Sequence, residues 1–350
     1  MREAKIIENK KVLVTGGAGF IGSNLVDVLL EQGNEVVCLD NFATGKRENL
    51  QIAFQNEKFK LIEGDIRNFE DCNAAVQGCE YVLHQAALGS VPRSIADPMT
   101  TTDVNIGGFV KMLFAAKEAG VKRFVYAASS STYGDHAALP KVEHIIGNAL
   151  SPYAITKYVD ELFAKNFSDI YGIETVGLRY FNVFGRRQDP NGAYAAVIPK
   201  FVSEFMAHNS PIINGDGSYS RDFTYIDNVI LANQLAAITP TADFKERLKN
   251  YSEGIGKTYN HESTISEVFN VAFGERTTLK ELVEILKGTL SKFDPEINDV
   301  KISYGPNRGG DIPHSLASIE KANKILGYQP KYDIESGLTE ATNWYWKYLG

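Results

Sequence analysis

One glycine-rich stretch limits the fold of this chain more than any other feature. The apolar run Lys11–Thr15 leads directly into Gly-Gly-Ala-Gly-Phe-Ile-Gly at residues 16–22, and an amphipathic pattern then continues to Gln32. The spacing G-x-x-G-x-x-G between a strand and a helix permits a tight turn, a close approach of pyrophosphate to the backbone, and close helix–sheet packing. The helix N-terminus adds N–H groups and a favourable dipole for the anion. The segment therefore predicts a dinucleotide site.

Strands and helices alternate through the first half of the chain. Buried strands are predicted at 11–15, 35–39, 59–63, 81–84, 123–128 and 175–179, and helices at 20–32, 106–119 and 153–171. This alternation favours an α/β fold with a doubly wound parallel sheet and right-handed crossovers, the Rossmann type.

The pattern loosens after Gly185, where loops rich in Gly, Asn and Asp separate shorter elements. We expect a Rossmann domain over 1–185, with later segments returning to it, and a smaller C-terminal α/β lobe mainly over 186–350. Helices are predicted at 279–290 and 319–326. The polar segment 245–267 is weakly periodic and is predicted to be a surface excursion.

Charge and composition exclude several classes of protein. The 350 residues carry a formal net charge of −7 without a basic stripe, so nucleic-acid binding is not expected. No apolar run approaches membrane-spanning length, and the charged N-terminus lacks a signal core, so we expect no membrane association and a cytoplasmic location. Three cysteines and six histidines show no metal-ligand spacing, so neither a disulfide framework nor a metal site is expected.

Residues at the ends of the predicted strands extend the nucleotide site. Asp40 ends the second strand, where a carboxylate hydrogen-bonds the adenosine ribose and repels a 2′-phosphate, which favours NAD over NADP. A loop Asp that caps a turn is the alternative interpretation. Asp65 follows the third strand and is placed near the adenine. Gln85-Ala86-Ala87 follow the fourth strand and let the backbone pass close to the cofactor.

A tyrosine and a lysine one helical turn apart indicate proton and hydride chemistry. Tyr153 and Lys157 follow Ser151-Pro152, so a proline-started helix brings them to one face. A tyrosine is ordinarily protonated at neutral pH, and a neighbouring cation favours its phenolate. The hydroxyl cluster 129–132 lies upstream at the end of a predicted strand. The pair alone is common on solvated helices, but with these motifs it predicts oxidation of a carbinol.

Together these motifs resemble the extended short-chain dehydrogenase/reductase family, over nearly the whole chain. The resemblance is strongest to the UDP-hexose 4-epimerases, particularly those acting on N-acetylated hexoses. It implies Tyr153 as the base, Lys157 as the bridge to the nicotinamide ribose, and Ser129 as the hydroxyl on the substrate oxygen. It also implies an NAD site formed by Gly16, Gly19, Phe20, Ile21, Gly22, Asp40, Asn41, Thr44, Gly45, Asp65, Ile66, Gln85, Ala86, Ala87, Asn105, Tyr153, Lys157, Tyr180 and Phe181.

The second lobe resembles the nucleotide-sugar site of the same family. Asn182, Arg221 and Arg308 match residues that bind the diphosphate, and planar guanidinium groups suit phosphate recognition. The segment 197–199 resembles the one that surrounds uracil. The implied UDP-hexose site comprises Ser90, Ser94, Ser130, Ser131, Asn182, Val197, Lys200, Arg221, Arg308, Asp311 and Ser315.

The residues near the predicted base separate epimerisation from related reactions. Dehydratases of the family carry Thr-Asp-Glu at the serine cluster and decarboxylases tend to carry a Glu there, whereas this chain has serines at 129–131. Ser315 falls where epimerases restricted to glucose and galactose carry a bulky Tyr. The resemblance therefore implies interconversion of UDP-GlcNAc and UDP-GalNAc, with the non-acetylated pair as further substrates.

Two other functions and one assembly remain open at this point. Arg93, in the polar loop after the fourth strand, suits a carboxylate and keeps a UDP-glucuronate 4-epimerase as an alternative. A non-catalytic nucleotide-sugar sensor on the same fold is a second one. The resemblance implies a homodimer through helices 106–119 and 153–171, although burial against the sheet explains many of their apolar residues equally well.

Overall fold

The computed structural model describes residues 6–190, 196–258, 264–306 and 312–349. The strands are β1 (Lys11–Thr15), β2 (Glu35–Asp40), β3 (Phe59–Glu63), β4 (Tyr81–His84), β5 (Arg123–Ser129), β6 (Glu174–Tyr180), β7 (Val183–Phe184), β8 (Ile212–Asn214), β9 (Ser220–Arg221), β10 (Thr224–Tyr225), β11 (Ser266–Val271), β12 (Thr277–Thr278) and β13 (Ser303–Gly305). The helices are α1 (Phe20–Glu31), α2 (Phe69–Val76), α3 (Val91–Ala96), α4 (Pro98–Thr102), α5 (Phe109–Glu118), α6 (Pro152–Tyr171), α7 (Val197–Met206), α8 (Ile226–Ile238), α9 (Thr241–Gly254), α10 (Leu279–Leu290), α11 (Glu320–Leu326) and α12 (Ile334–Leu349).

A seven-stranded parallel sheet forms the centre of the described structure. Its strand order is β11-β6-β5-β4-β1-β2-β3, so the predicted doubly wound Rossmann sheet is confirmed. The chain winds outward in one direction from β1 and then in the other from β4. The crevice between the carboxyl ends of these two strands is the switch point at which such sheets bind ligands.

Apolar helices cover both faces of the sheet. Leu13 packs in one core cluster while its neighbours Val12 and Val14 pack in the other, because successive side chains of a strand point to opposite faces. Helices α1 and α8 lie against one face, and α2, α5 and α6 against the other. Strands buried on both faces read as continuous apolar runs, which is why they were recognisable in the sequence.

The expectation for residues 245–267 is wrong in both of its described parts. Residues up to Gly254 belong to α9, whose Phe244 and Leu248 are buried one turn apart. Residues from Ser266 onward form β11, which pairs in parallel with β6 at the edge of the sheet. Most polar residues of α9 face solvent, and the helix is anchored to the core by the buried side chains of Phe244 and Leu248.

The predicted helix at 106–119 also begins differently. Residues Asp103–Gly108 form a π-helical segment, and regular α-helix starts only at Phe109. Asn105 lies within this segment, and single π turns of this kind are frequent at functional sites. In the described part of the chain, no helix is both long and apolar enough to span a membrane.

Candidate active site

A cleft of about 510 Å³ opens at the carboxyl ends of β1 to β4. It is lined by predicted cofactor residues from the glycine turn and the strand ends: Gly16, Gly19, Phe20, Ile21, Gly22, Asp40, Asn41, Thr44, Asp65, Ile66, Gln85, Ala86 and Ala87. Ala43, Arg67 and Arg93 line it as well and were not predicted to contact a cofactor. The cleft coincides with the switch point of the sheet.

The glycine turn has the shape that a pyrophosphate cradle requires. Gly16 has φ of +66°, and a Cβ there would lie 2.8 Å from the backbone of Ala86. A Cβ at Gly22 would lie 2.1 Å from the carbonyl oxygen of Gly16. Both positions therefore exclude any side chain, and the turn leaves its backbone open to a ligand at the N-terminus of α1.

Asp40 is the carboxylate at the end of β2. Its Oδ2 accepts a hydrogen bond from the N–H of Ala18, and its Oδ1 accepts one from the N–H of Phe42, each at 2.8 Å. Burial raises its pKa, and these two N–H donors oppose the rise. Asp40 thus caps the turns around it and also lines the cleft. A carboxylate in this place fits a ribose diol and disfavours a 2′-phosphate.

Asp65 is held at the rim of the cleft by two neighbours. Arg67 donates to its Oδ2 at 2.7 Å and Asn41 donates to the same oxygen at 2.8 Å. The hydrogen bond from Arg67 is the main cause that lowers the pKa of Asp65 to about 2. Asp65 is therefore ionised at neutral pH.

Three predicted cofactor residues support the cleft from behind. Tyr180 donates its hydroxyl to Gln85 at 3.1 Å and accepts a hydrogen bond from Asn233 at 2.9 Å. Asn105 accepts from the N–H of Leu88 at 2.8 Å. Gly45 packs against Ala18, and neither it, Tyr180 nor Asn105 lines the cleft. Their described contacts fix the shape of the site.

Helix α6, which carries the predicted catalytic pair Tyr153 and Lys157, begins where the sequence indicated. The hydroxyl of Ser151 accepts a hydrogen bond from the N–H of Ala154 at 3.1 Å, and Pro152 occupies the first turn. Tyr153 is half-buried, and its N–H donates to the hydroxyl of Ser94 at 3.0 Å. The cap and this bond fix the start of the helix, and they therefore fix the backbone position of Tyr153.

Lys157 lies one turn further along, with its side chain buried. Its Nζ donates to the carbonyl oxygen of Ala127 on β5 at 3.0 Å and to Oδ2 of Asp160 at 3.3 Å. The ammonium group is therefore held between α6 and the end of β5. Tyr153 and Lys157 share one face of α6, as the i, i+4 spacing predicted.

A second cavity, of about 470 Å³, lies on the other side of α3 from the cofactor cleft. It brings together residues predicted from distant parts of the sequence: Ser129, Ser130, Ser131, Phe181, Asn182, Arg221 and Ser315. Lys141, Tyr133, Ile312 and His314 also line it and were not predicted. The cavity adjoins the N-terminus of α6, since Ser151 and Ala154 form part of its wall.

The serine cluster has an internal order. The hydroxyl of Ser129 accepts a hydrogen bond from the N–H of Ser131 at 3.1 Å and another from its hydroxyl at 2.8 Å. Ser129 ends β5 and is nearly buried, whereas Ser130 and Ser131 are half-buried. The accepted bonds leave the proton of Ser129 available to a ligand oxygen.

The far wall of the cavity comes from the turn between β6 and β7, from β9 and from the segment around Ser315. Arg221 donates to the carbonyl oxygens of Ser220 and Pro313, at 3.0 and 3.1 Å. Asn182 donates to the carbonyl oxygen of Asp222 at 3.1 Å. The N–H of Ser315 donates to the carbonyl oxygen of Ser220 at 3.0 Å, so β9 fixes both Arg221 and Ser315.

Other predicted substrate residues lie elsewhere. Ser90 caps α3, and the buried Ser94 uses its hydroxyl on Tyr153 and on the carbonyl oxygen of Val91. Val197 and Lys200 lie on α7, outside both cavities, and Lys200 is exposed. Arg308 and Asp311 fall outside the described residues.

The residues near the site that were not predicted differ in how far the sequence could have indicated them. Asp160 follows Tyr153 at i+7, so the helical period alone places it on the face of α6 that carries Tyr153 and Lys157. Lys141 comes from a segment with no regular pattern, and it reaches the cavity because its backbone bonds to residues 316 and 318. Arg67 was identifiable only as a neighbour of Asp65.

Comparisons with known proteins fit this geometry. A model described as NAD dependent epimerase/dehydratase family matches residues 12–250. The chain belongs to the NAD-dependent epimerase/dehydratase family. Its cofactor is NAD, for which the glycine cradle and Asp40 provide a fitting site.

Relatives of this epimerase family member differ in the sugar named for them. A putative UDP-glucose 4-epimerase of Methanocaldococcus jannaschii is 35% identical over 335 residues, covering 95% of this chain and 97% of its own. A UDP-glucuronate 4-epimerase of Thermodesulfobacterium geofontis is 31% identical and covers 95% of both chains. The solved UDP-N-acetylglucosamine 4-epimerase from Methanobrevibacter ruminantium M1, in complex with UDP-N-acetylmuramic acid, is 38% identical with a TM-score of 0.84, covering 97% of this chain and 99% of that one.

Proposed function

We propose that this NAD-dependent UDP-sugar 4-epimerase interconverts UDP-N-acetylglucosamine and UDP-N-acetylgalactosamine. One observation carries the proposal: the second cavity combines three serines, Asn182, Arg221 and the small Ser315 next to the start of the catalytic helix. Asn182 and Arg221 suit a diphosphate, and the serines suit a sugar hydroxyl.

The chain supplies position and proton transfer at C4 of the sugar. Tyr153 takes the proton of the 4-hydroxyl, and the Lys157 ammonium stabilises the resulting charge on the tyrosine oxygen. Ser129 donates a hydrogen bond to the substrate oxygen, first as hydroxyl and then as ketone. NAD, bound against the glycine cradle and Asp40, supplies the oxidation and the reduction at C4.

Inversion requires that the ketone present its other face. Asn182, just after β6, and Arg221, on β9, hold the diphosphate, so the hexose can turn while the nucleotide stays bound. Tyr153 then returns its proton to the oxygen of the epimer. Fixing the nucleotide keeps both half-reactions intramolecular, which removes the entropic cost of a second encounter.

The acid–base content of the cavity favours epimerisation over elimination. Among the described residues, no Asp or Glu side chain lines the second cavity. Removing water from the 4-ketone needs a general acid and a base beyond Tyr153. The cavity offers hydroxyl groups in their place, so the ketone is left to be reduced again.

The size of the residue at 315 supports the acetylated substrates. Ser315 is half-buried in the cavity wall and held by its N–H bond to Ser220. A small side chain on a fixed backbone leaves room for a 2-acetamido group. The similar Methanobrevibacter enzyme is named for the N-acetylated substrate.

A cation in the same cavity favours UDP-glucuronate as a second candidate substrate. Lys141 lines the cavity, and its ammonium group donates to the carbonyl oxygen of His136. A lysine has three N–H donors, so donors remain for a carboxylate. A uronate carboxylate would be the natural partner of this cation.

The surfaces of α5 and α6 support a homodimer. Phe114 and Leu162 are exposed on these helices, together with Ile155 and Tyr158. Leu113 is fully buried in the core beside the sheet, so its apolar character is explained by the fold of one chain and not by a second copy. We infer that the exposed apolar side chains pack against a second copy of this chain.

Product analysis across a panel of UDP-sugars tests the proposed function. The purified protein is incubated separately with UDP-GlcNAc, UDP-glucose and UDP-glucuronate, and the 4-epimers are separated by chromatography. The proposal expects UDP-GalNAc from UDP-GlcNAc. Turnover of UDP-glucuronate alone would move the assignment to the second candidate, and no product from any sugar would favour a sensor.

A further inference from the structure

The face of α6 that carries Tyr153 and Lys157 continues to a buried carboxylate. Tyr153, Lys157 and Asp160 follow at i, i+4 and i+7, so one stripe of the helix carries all three. The side chain of Asp160 is 0% exposed, and its Oδ2 lies 3.3 Å from Nζ of Lys157. An acidic group is therefore in direct contact with the cation assigned to Tyr153.

The bonds of Lys157 define the direction of its remaining donor. Lysine has three N–H donors. One of them is used on Ala127 and a second on Asp160, at 3.0 and 3.3 Å. The third makes no hydrogen bond to the described residues, and in the proposed function it serves the ribose and Tyr153. Asp160 thus orients the ammonium group, and as a carboxylate it also balances the positive charge of that group.

Other charged groups around Asp160 have partners of their own. Glu161 accepts two hydrogen bonds from Arg179, at 2.8 and 2.7 Å. On β11, Glu267 pairs with Lys321 at 2.7 Å. Lys157 is therefore the cation that faces Asp160.

The neutral neighbours of Asp160 add no compensating charge. Tyr126 on β5 stays neutral because burial raises its pKa well above the ordinary value. Oδ1 of Asp160 is buried and accepts no hydrogen bond from the described residues. Burial raises the pKa of Asp160 to about 7, and Lys157 opposes that rise. Asp160 consequently changes charge near neutral pH.

In the proposed function, Lys157 serves both Tyr153 and Asp160. Asp160 and Tyr153 are two helical turns apart, about 10 Å along the axis. At an effective dielectric constant of about 20, the repulsion between two unit charges at that distance shifts a titration by about 1 pH unit. Ionising one group therefore makes ionising the other harder.

We propose that Asp160 is a positioning residue that competes with Tyr153 for the Lys157 ammonium and thereby sets the lower pH limit of turnover. The inference rests on the proposed function, because that function assigns Tyr153 and Lys157 their roles. It makes Asp160 a tuning group, which acts through the lysine and touches neither sugar nor cofactor.

The test compares Asp160→Asn with wild type as NAD-loaded enzyme. Asn keeps the shape of the side chain and removes its charge. We expect the acidic limb of the pH–kcat profile to move to lower pH by about 1 unit, because Tyr153 no longer shares the cation. Asp169→Asn is the matched control, since Asp169 is an exposed carboxylate on α6 that pairs with Lys165. Its profile should coincide with that of wild type.

Thermal unfolding gives a readout that does not depend on turnover. The pKa of Asp160 in the folded protein lies above the value of about 4 in an unfolded chain. At Asp160 the folded state therefore binds more protons than the unfolded chain between about pH 4 and pH 7, so the contribution of Asp160 to wild-type stability falls as pH rises through that window. Asp160→Asn lacks this dependence, so its Tm relative to wild type should rise by a few degrees between pH 5 and pH 8.

The outcomes separate this inference from the function on which it rests. The positioning role is overturned if the pH–kcat profiles of wild type and Asp160→Asn have the same acidic limb and if the Tm difference between the two proteins does not change with pH. The proposed function is overturned if the wild-type protein is inactive on every UDP-sugar. In that case the Tm values measured between pH 5 and pH 8 still report the titration of Asp160. Asp160→Ser provides a second neutral variant, with the same expected shift. If neither variant folds, Asp160 is a structural residue and the inference is wrong.

Discussion

The glycine cradle makes a quantitative prediction for Gly22→Ala. The new Cβ would lie 2.1 Å from the oxygen of Gly16 and 2.8 Å from the Cα of Gly17. Unstrained non-bonded contacts are about 3.5 Å, so the turn and helix α1 must separate by more than about 1 Å. Overpacking of this kind costs about 1–3 kcal/mol. We expect the displaced turn to lose a similar amount of its binding free energy for NAD, which corresponds to roughly a 5- to 150-fold weaker Kd.

Isothermal titration of NAD into the cofactor-free protein measures this loss. Gly288→Ala is the matched control, because Gly288 lies inside α10 with nothing within 4 Å of its Cβ position. That variant should bind NAD as wild type does and gain about 0.5–1 kcal/mol of stability. A folded Gly22→Ala protein with wild-type affinity for NAD would refute the argument that the cradle holds the nucleotide.

Three further changes test other parts of the structure. Burial lowers the pKa of His84 to about 3, so the folded protein excludes a proton that the unfolded chain binds below about pH 6.5. The unfolding free energy of wild type relative to His84→Asn, measured in urea, should thus fall by about 2 kcal/mol between pH 6.5 and pH 5, and a constant difference would contradict this. Ser315→Tyr should reduce kcat/KM for UDP-GlcNAc by about 10- to 200-fold and spare UDP-glucose; equal losses would contradict the size argument. Leu162→Glu should halve the sedimenting mass, whereas Ile212→Glu, on the exposed strand β8, should not; a monomeric wild type would exclude the dimer.

Much of the Rossmann sheet was predictable because its strands are buried on both faces. The limits of β1 and β4 match their apolar runs residue for residue, and the limits of the partly exposed edge strand β3 match the prediction as well. The start of α6 was equally clear, since Ser151 and Pro152 are an N-cap and a first-turn proline. In these segments local chemistry and tertiary packing favour the same structure.

The last strand of the sheet was missed for the opposite reason. β11 begins with Ser266 and Glu267, which are half-buried, and its apolar residues follow only from Val268. Pairing with β6 makes it a strand. Helix α9 before it has few apolar positions, and the core contacts of Phe244 and Leu248 hold it.

The two cavities also differ in how much of their lining the sequence could predict. The cofactor cleft is built from the glycine turn and strand ends that follow one another along the sequence, so most of its lining was predictable. The second cavity is closed by Lys141 and His314, whose positions depend on bridges between distant segments. Sequence spacing carries no information on such contacts.

Isotope retention at C4 tests the central claim most directly. UDP-GlcNAc labelled with deuterium at C4 is incubated with the enzyme in ordinary water, and the UDP-GalNAc formed is examined by mass spectrometry. If oxidation and reduction occur at one carbon within one binding event, the product keeps the deuterium. UDP-GalNAc that has lost the label to solvent would contradict the account, as would full activity in Tyr153→Phe.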